Sequence, residues 1–279
     1  MCYNNNVERG RQTLRAIRWK AVENLSTLYG CVVQLEEHKT FNFGVGGSNP
    51  LTPTIHQKKE VNEMNMYCTL DTETVGGASN PLGFYHLGGI IHNRLGEVVG
   101  CFNYIIAEML PYVLNDDYAK KNLPLYYEML REGTATLIDT QAHAIEVVNS
   151  TLEFYDVGIM TAYNSGFDYC KTMCAELLEG REFIDLWLMA LECICQKASY
   201  KKFCAESGRT NGKGGCKTNA ESVFAYLIGN PTYCEEHTAL EDSKIELEIF
   251  NACIKSHKKF TPNCHCWDFE GKFGLFPRI

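Results

Sequence analysis

No run of apolar residues in this 279-residue chain approaches the roughly 18 needed for a membrane-spanning helix. The opening MCYNNNVERGRQ lacks the apolar core of a secretory signal. The expected setting of the 14 cysteines is therefore cytoplasmic, as reduced thiols rather than a disulfide framework. Positive charge is in deficit: 26 Lys and Arg stand against 34 Asp and Glu, a net −8. Proteins that coat long nucleic acids show a basic stripe, and this balance argues against one. It leaves room for an enzyme that grips a few nucleotides through bound cations, because such ions change the local charge. No internal repeat is present. Neither GVGGSNP nor GKGG leads from a strand into a helix, so neither reads as a nucleotide-phosphate loop.

What is present is enough for a full core: 45% of residues are apolar and 22% charged. Leu14, Ile17, Ala21, Val22, Leu25, Leu28 and Tyr29 recur at helical spacing behind a basic start (Arg9, Arg11, Arg15, Arg18, Lys20). The pattern suits an ordinary amphipathic helix with a solvated charged face better than a nucleic-acid or partner-binding helix. FNFGVGGSNPLTPTIHQKKE, residues 41–60, reads as a linker. Three parts are expected: an N-terminal helical segment and linker over 1–63, a compact domain over 64–260, and a tail over 261–279. Cys264-His265-Cys266 in the tail suggests zinc, but with only Cys253 and His257 nearby the spacing fits no familiar site. Cys170, Cys174, Cys193 and Cys195 read as small buried hydrophobes.

From Tyr67 onward the pattern alternates. YCTLD reads as a strand, and YHLGGIIHN and VVGCFNYIIA form a hairpin around RLGE. A helix is expected near 139–155, an apolar strand at VGIMTAYN (157–164), and a helix at FDYCKTMCAELL with Phe167, Cys170, Cys174 and Leu177 on one face. REFIDLWLMALECIC reads as a short strand and helix. KTNAESVFAYLIG reads as a helix with Asn219 at its N-cap, and TALEDSKIELEIFNACIK as a long helix. A three-stranded meander followed by mixed strands and helices predicts an α/β or α+β sheet covered by helices.

Three groups of polar residues stand out. Asp71 and Glu73, two apart on a strand, point to one face and can aim at one point. Hard divalent cations such as Mg²⁺ take oxygen ligands of this kind. Asp168, in Tyr163-Asn164-Ser165-Gly166-Phe167-Asp168, falls where an apolar strand enters a helix. Strand ends are where α/β sites assemble, and a carboxylate there also suits the helix dipole. His237 and Asp242 are five apart, which on a helix separates them by about 140°. They converge only if His237 lies in the loop before the helix and Asp242 in its first turns. Glu235 and Glu236 precede the histidine, and Glu241, Glu246 and Glu248 read as solvated or salt-bridged helix charges.

Taken in order, these groups resemble the DEDD superfamily of 3′-to-5′ exonucleases in its histidine-bearing branch, over about residues 66–256. That branch includes proofreading exonuclease subunits of DNA polymerase, RNase T and oligoribonuclease. The tyrosine-bearing branch would place Tyr at Thr238, and the usual histidine before Asn164 is Tyr163 here. Ile184-Asp185-Leu186-Trp187 and Lys217-Thr218-Asn219 are similar to further elements of the family. The resemblance implies an α/β, ribonuclease H-like fold with a mixed central sheet flanked by helices. It implies two divalent cations, Mg²⁺ with Mn²⁺ as a substitute, held by Asp71, Glu73, Asp168 and Asp242. His237 would act as general base on the attacking water; unperturbed imidazole titrates near 6.5, which suits that work.

The implied substrate is the 3′ end of single-stranded DNA or RNA, and a DNA polymerase is an implied partner. Thr72, Thr74, Asn164 and Phe167 are the expected substrate contacts, although Phe167 reads equally as a core aromatic. Lys213 and Lys217 read equally as phosphate contacts or as part of a surface loop. A catalytically idle nucleic-acid-binding module and a metal-dependent endonuclease on the same fold are the competing readings.

Overall fold

The computed structural model describes residues 65–76, 82–172 and 174–256. The N-terminal helix, the linker and the Cys264–Cys266 tail of the sequence reading lie outside the described residues. The described elements belong to the compact unit that begins at Met66. Three strands come first: β1 (Met66–Val75), β2 (Gly83–Asn93) and β3 (Val98–Ile106). Asn93 shapes the β2–β3 turn, its Oδ1 accepting from the backbone N–H groups of Leu95 and Glu97. Two short helices, α1 (Leu110–Asn115) and α2 (Leu123–Glu132), each carry proline in the first turn, where its missing N–H costs nothing. They lead to β4 (Thr136–Ile138).

Helix α3 (Gln141–Phe154) starts at Thr140, whose hydroxyl accepts from His143 N–H at 3.1 Å. Strand β5 (Val157–Ala162) follows, then β6 (Glu182–Asp185) and α4 (Leu186–Ala190). Helices α5 (Ala198–Ser207), α6 (Ala220–Leu227) and α7 (Ala239–Ile254) complete the described chain. Asn219 occupies the N-cap position of α6, but its side chain makes no capping bond. Between β5 and β6 the expected single helix is two pieces, a π turn at Phe167–Lys171 and a 3₁₀ stretch at Cys174–Leu178. The Thr172 hydroxyl donates to the Asp168 carbonyl four residues back. Such back-bonding competes with the regular ladder and marks where the helix fails to continue.

The sheet order is β4-β3-β2-β1-β5-β6. β1, β2 and β3 are antiparallel neighbours, while β5 runs parallel to β1, β6 to β5, and β4 to β3. A meander extended across its first strand by parallel strands, with helices on the faces, is the α/β, ribonuclease H-like architecture. Tyr67 of β1 packs its ring 5.2 Å from that of Phe250 of α7. By the strand's two-residue period, Thr69, Asp71 and Glu73 share this face. A core of Tyr67, Ile90, Ile159, Ile184, Leu247 and Phe250, among others, fills the space between the sheet and α4–α7. Ala144, Ile145, Val148 and Leu152 of α3 are buried as well. Thr69 ties this core together: its hydroxyl meets that of Thr161 at 2.8 Å and His92 Nε2 at 2.9 Å. His92 Nδ1 faces the Asn93 carbonyl, which can only accept, so Nδ1 carries the ring proton and Nε2 accepts. Among the described residues no helix is long and apolar enough to cross a membrane.

Helix α7 reaches the sheet through a glycine. Gly88 of β2 pairs with Asp71 of β1, and a Cβ at Gly88 would overlap the backbone of Ala239 and Leu240. The Ser243 hydroxyl, 3.2 Å from the Gly88 carbonyl, fixes the same contact. Gly88→Ala is therefore expected to cost about 1–3 kcal/mol, the usual range for overpacking. A urea unfolding midpoint equal to that of the parent chain would contradict this close approach.

Candidate active site

Two structural features aim the acidic residues of β1. Asp71 and Glu73 pair with Gly88 and His86 of β2, and the register shifts immediately after Glu73. A bulge at a strand end ends regular pairing and redirects the side chains beside it. Opposite them, Asp242 lies in the first turn of α7, which Thr238 precedes, and His237 lies in the loop before it. Ligand atoms of Glu73, His237 and Asp242 all lie within 4.8 Å of one another. The convergence expected from a histidine before the helix and an aspartate inside it is what the backbone forms.

His237 is held in an unusual conformation, with φ 55°. Left-handed backbone at a non-glycine residue is uncommon and persists where its surroundings enforce it. Here Asn122 Nδ2 donates to the His237 carbonyl at 3.0 Å, and the Tyr126 hydroxyl donates at 3.3 Å. The preceding loop is tied by Arg209, buried to 9% exposure. Its guanidinium donates to the Pro231 and Tyr233 carbonyls and pairs with Glu221 at 2.8 Å. Glu221 in turn accepts from Glu235 N–H. The α7 N-terminus is fixed from below, where Ala239 N–H donates to His86 Nδ1 and His86 Nε2 donates to Asn103 Oδ1. Burial lowers His86 to about 4, consistent with a neutral ring.

The third group sits at the end of β5. Asn164 also has positive φ, 63°, a conformation asparagine tolerates better than most residues. Its carbonyl accepts from Phe167 N–H at 2.8 Å. Asp185 both caps α4 and accepts from the backbone and hydroxyl of Ser165. The turn is thus pinned, and it delivers Asp168, buried to 3% exposure, toward β1. The Thr72 hydroxyl donates to Asp168 Oδ1 at 2.6 Å. Tyr163, where the resembled family carries histidine, donates its hydroxyl to the Thr218 carbonyl. Among the expected substrate contacts, Thr74, Asn164 and Phe167 are partly exposed, whereas the Thr72 side chain is buried.

Electrostatics unite these groups. Burial, followed by Asp168, Glu246, Asp242 and Glu73, pushes the Asp71 carboxyl well above its usual range. Glu73 is raised by burial, Asp242, Asp168 and Glu235. Asp168 rises to about 7 through burial, despite the Thr72 hydrogen bonds that favour its charge. Asp242 rises to about 7 through burial and the neighbouring Glu241, Glu236 and Glu221. Among the described residues no ion pair reaches Asp71, Glu73, Asp168 or Asp242. Four buried side-chain atoms among the described residues lack a hydrogen-bond partner: Asn164 Oδ1, Thr238 Oγ1, Asp242 Oδ1 and Glu246 Oε2. All four are oxygens on segments that frame this cleft. An oxygen-rich, negatively charged set with unsatisfied lone pairs fits a hard divalent cation.

Three contributors escaped the sequence reading. Glu246 is buried rather than solvated, because α7 turns that face toward the sheet. Its signal was the four-residue spacing from Asp242, which places both on one helix face. Glu235 rises to about 8 through burial and the charges of Asp242 and Glu221, and its Oε2 lies 3.9 Å from His237 Nδ1. Tyr118, 57% exposed, sets its ring 6.2 Å from that of His237. Nothing in its sequence neighbourhood marks it.

No family model and no curated protein matches the sequence. Among solved structures, a full-length 3′-exonuclease is similar at 12% identity, over 77% of this chain and 93% of its own, with TM-score 0.47. A 3′-exonuclease described in the 3′-end specific recognition of a histone mRNA stem-loop is similar at 13% identity, over 70% and 67%, with TM-score 0.43. The strand order, rather than these likenesses, defines the class of the protein: an α/β chain of ribonuclease H-like architecture with an acidic cleft at one end of its sheet.

The raised carboxyls give the metal-free protein a definite pH response. Unfolded carboxyls lose their protons near pH 4, whereas folded Asp168 and Asp242 hold theirs to about 7. Between these values the folded state binds more protons. The associated stability is present below the unfolded range and is lost as pH rises through about 7. In chelator, Tm is expected to fall between pH 5 and pH 8, and saturating Mn²⁺ should suppress the fall. A Tm in chelator that is flat or rises over this interval would contradict the proximity of the carboxylates.

Proposed function

We propose that this protein is a metal-dependent 3′-to-5′ exonuclease of the histidine-bearing DEDD kind, releasing nucleoside 5′-monophosphates from single-stranded 3′ ends. The observation that carries the reading is the meeting of Glu73, His237 and Asp242, from a strand and a distant helix entrance, within 4.8 Å. Asp71 feels the charges of Asp242 and Glu73, and Asp168 acts on Glu73. Asp71, Glu73, Asp168 and Asp242 would hold two divalent cations. Bound there, such ions supply charge neutralisation for the phosphate and activate water for in-line displacement.

His237 is the group in this cleft suited to accept the proton from the attacking water. Its ring is 43% exposed, so solvent reaches it, while its backbone is anchored by Asn122 and Tyr126. Glu235 Oε2 lies 3.9 Å from its Nδ1. Thr72 holds Asp168 through its hydroxyl and its backbone N–H, so that Thr74, Asn164 and Phe167, which are partly exposed, are the residues open to substrate.

The test is digestion of an end-labelled oligonucleotide in Mg²⁺ and in EDTA, with a circular single strand in parallel. Shortening of the linear strand only, and only with metal, is expected. Binding without shortening would instead identify an idle binding module, and cleavage of the circle an endonuclease. Asp71→Ala and Asp242→Ala should abolish turnover with the fold intact. His237→Ala should lower it by about 10²- to 10⁴-fold, the range for a lost general base. Near-normal hydrolysis in any of the three would remove that residue from the site.

A single-stranded 3′ end is the expected preference. The −8 net charge gives little general grip on duplex. Duplex ends must first unpair, at about 1.4 kcal/mol per step. Initial rates should therefore fall in the order single-stranded, mismatched, fully paired for one sequence; equal rates would overturn the substrate assignment.

A further inference from the structure

Glu246 does not belong to the constellation that the sequence resemblance supplies, yet it is among the most enclosed acidic groups of the described chain. It is 3% exposed. It follows Asp242 by four residues on α7 and so shares its face. That face is pressed to the sheet at Gly88, the partner of Asp71. The backbone N–H of Tyr163, at the end of β5 beside the Asp168 turn, faces the Glu246 carboxyl and favours its charged form. Its Oε2 is buried with no hydrogen-bond partner. No ion pair among the described residues involves Glu246.

A buried carboxylate without a counter-charge is costly, and a side chain serving only to pack would not need the second oxygen. It lies one turn beyond Asp242 on the face of α7 that packs on β1 and β2, where the charges of Asp168 and Asp242 act on it and it acts on Asp71. Glu246 is thus more enclosed than Asp242, on the sheet-facing side of α7. Glu73, His237 and Asp242, whose ligand atoms converge within 4.8 Å, are each less enclosed.

We propose that Glu246 is a fifth acidic ligand of the cation centre, its Oε2 completing an inner position shared with Asp71 and Asp168. This rests on the metal-dependent reading above but assigns a residue that the reading does not require. It also changes the charge of the centre: five carboxylates outnumber the four positive charges of two divalent ions, so the loaded cleft keeps a negative charge or a proton.

The experiment is Mn²⁺ titration of the metal-free full chain by calorimetry, with thermal unfolding in chelator and in Mn²⁺. The proteins are the parent, Glu246→Gln, Glu246→Asp and Glu248→Gln, Glu248 being exposed on the same helix. Glutamine keeps the shape and an acceptor for Tyr163 N–H but removes the charge. Glu246→Gln is expected to raise Tm in chelator, by removing a buried like charge. It should weaken Mn²⁺ binding at least about tenfold, or delete one site, and shrink the Mn²⁺-induced rise in Tm. Glu246→Asp should bind more tightly than Glu246→Gln, and Glu248→Gln like the parent. Mn²⁺ binding by Glu246→Gln equal to the parent's overturns the proposal and leaves the exonuclease reading standing. If Glu246→Gln does not fold, Glu246→Asp decides: weakened binding supports the ligand role and unchanged binding overturns it. A parent chain that binds no Mn²⁺ overturns both this proposal and the reading beneath it.

Discussion

Like charge forced into one enclosed place is the constraint on which this structure depends. Asp71, Glu73, Asp168, Asp242 and Glu246 come from β1, the β5 turn and α7, and no described basic side chain pairs with any of them. Each raises another toward protonation. An arrangement that opposes folding is tolerated when something outside the chain repays it, and divalent cations are the simplest agent that matches oxygen ligands and this charge.

The rest of the fold serves as a clamp on that repulsion. Antiparallel pairing on one side of β1 and parallel pairing on the other fix the strand bearing Asp71 and Glu73. Gly88 lets α7 descend far enough to bring Asp242 over them. Of the three described non-glycine residues with positive φ, His237 and Asn164 lie beside the cleft, and Asp156 precedes β5. His237 is held by carbonyl bonds from Asn122 and Tyr126, and Asn164 lies in a turn pinned through Asp185. The Arg209–Glu221 pair makes its hydrogen bonds to the loop that leads to His237. Strained backbone is expected to be supported by its surroundings in this way.

Much of this was legible in the chain because periodicity and punctuation are local. The alternation in β1 to β3, the RLGE turn and the long pattern of α7 announce themselves. So do Asp71 with Glu73, Asp168 at a strand end, and His237 before Asp242. Residues 107–138 did not. Their helices are two or three turns long, start with proline and lack side-chain caps, and β4 has three residues, too few to establish a period. That region supplies Tyr118, Asn122 and Tyr126, all brought to His237 by tertiary contact alone. The split helix after β5 was hidden because apolar spacing is indifferent to whether Thr172 turns its hydroxyl back on Asp168. Glu246 was misjudged for a related reason: spacing shows which residues share a helix face, and only the packing of α7 shows which face is buried.

The central claim, that cations offset the repulsion between these carboxylates, is tested most directly by anomalous diffraction from crystals of the full chain grown or soaked in Mn²⁺. Anomalous peaks within coordination distance of Asp71, Glu73, Asp168 and Asp242 are the expected result. A cleft that stays free of Mn²⁺ at saturating concentration, or one whose carboxylates are neutralised by a basic side chain from elsewhere in the chain, would contradict it.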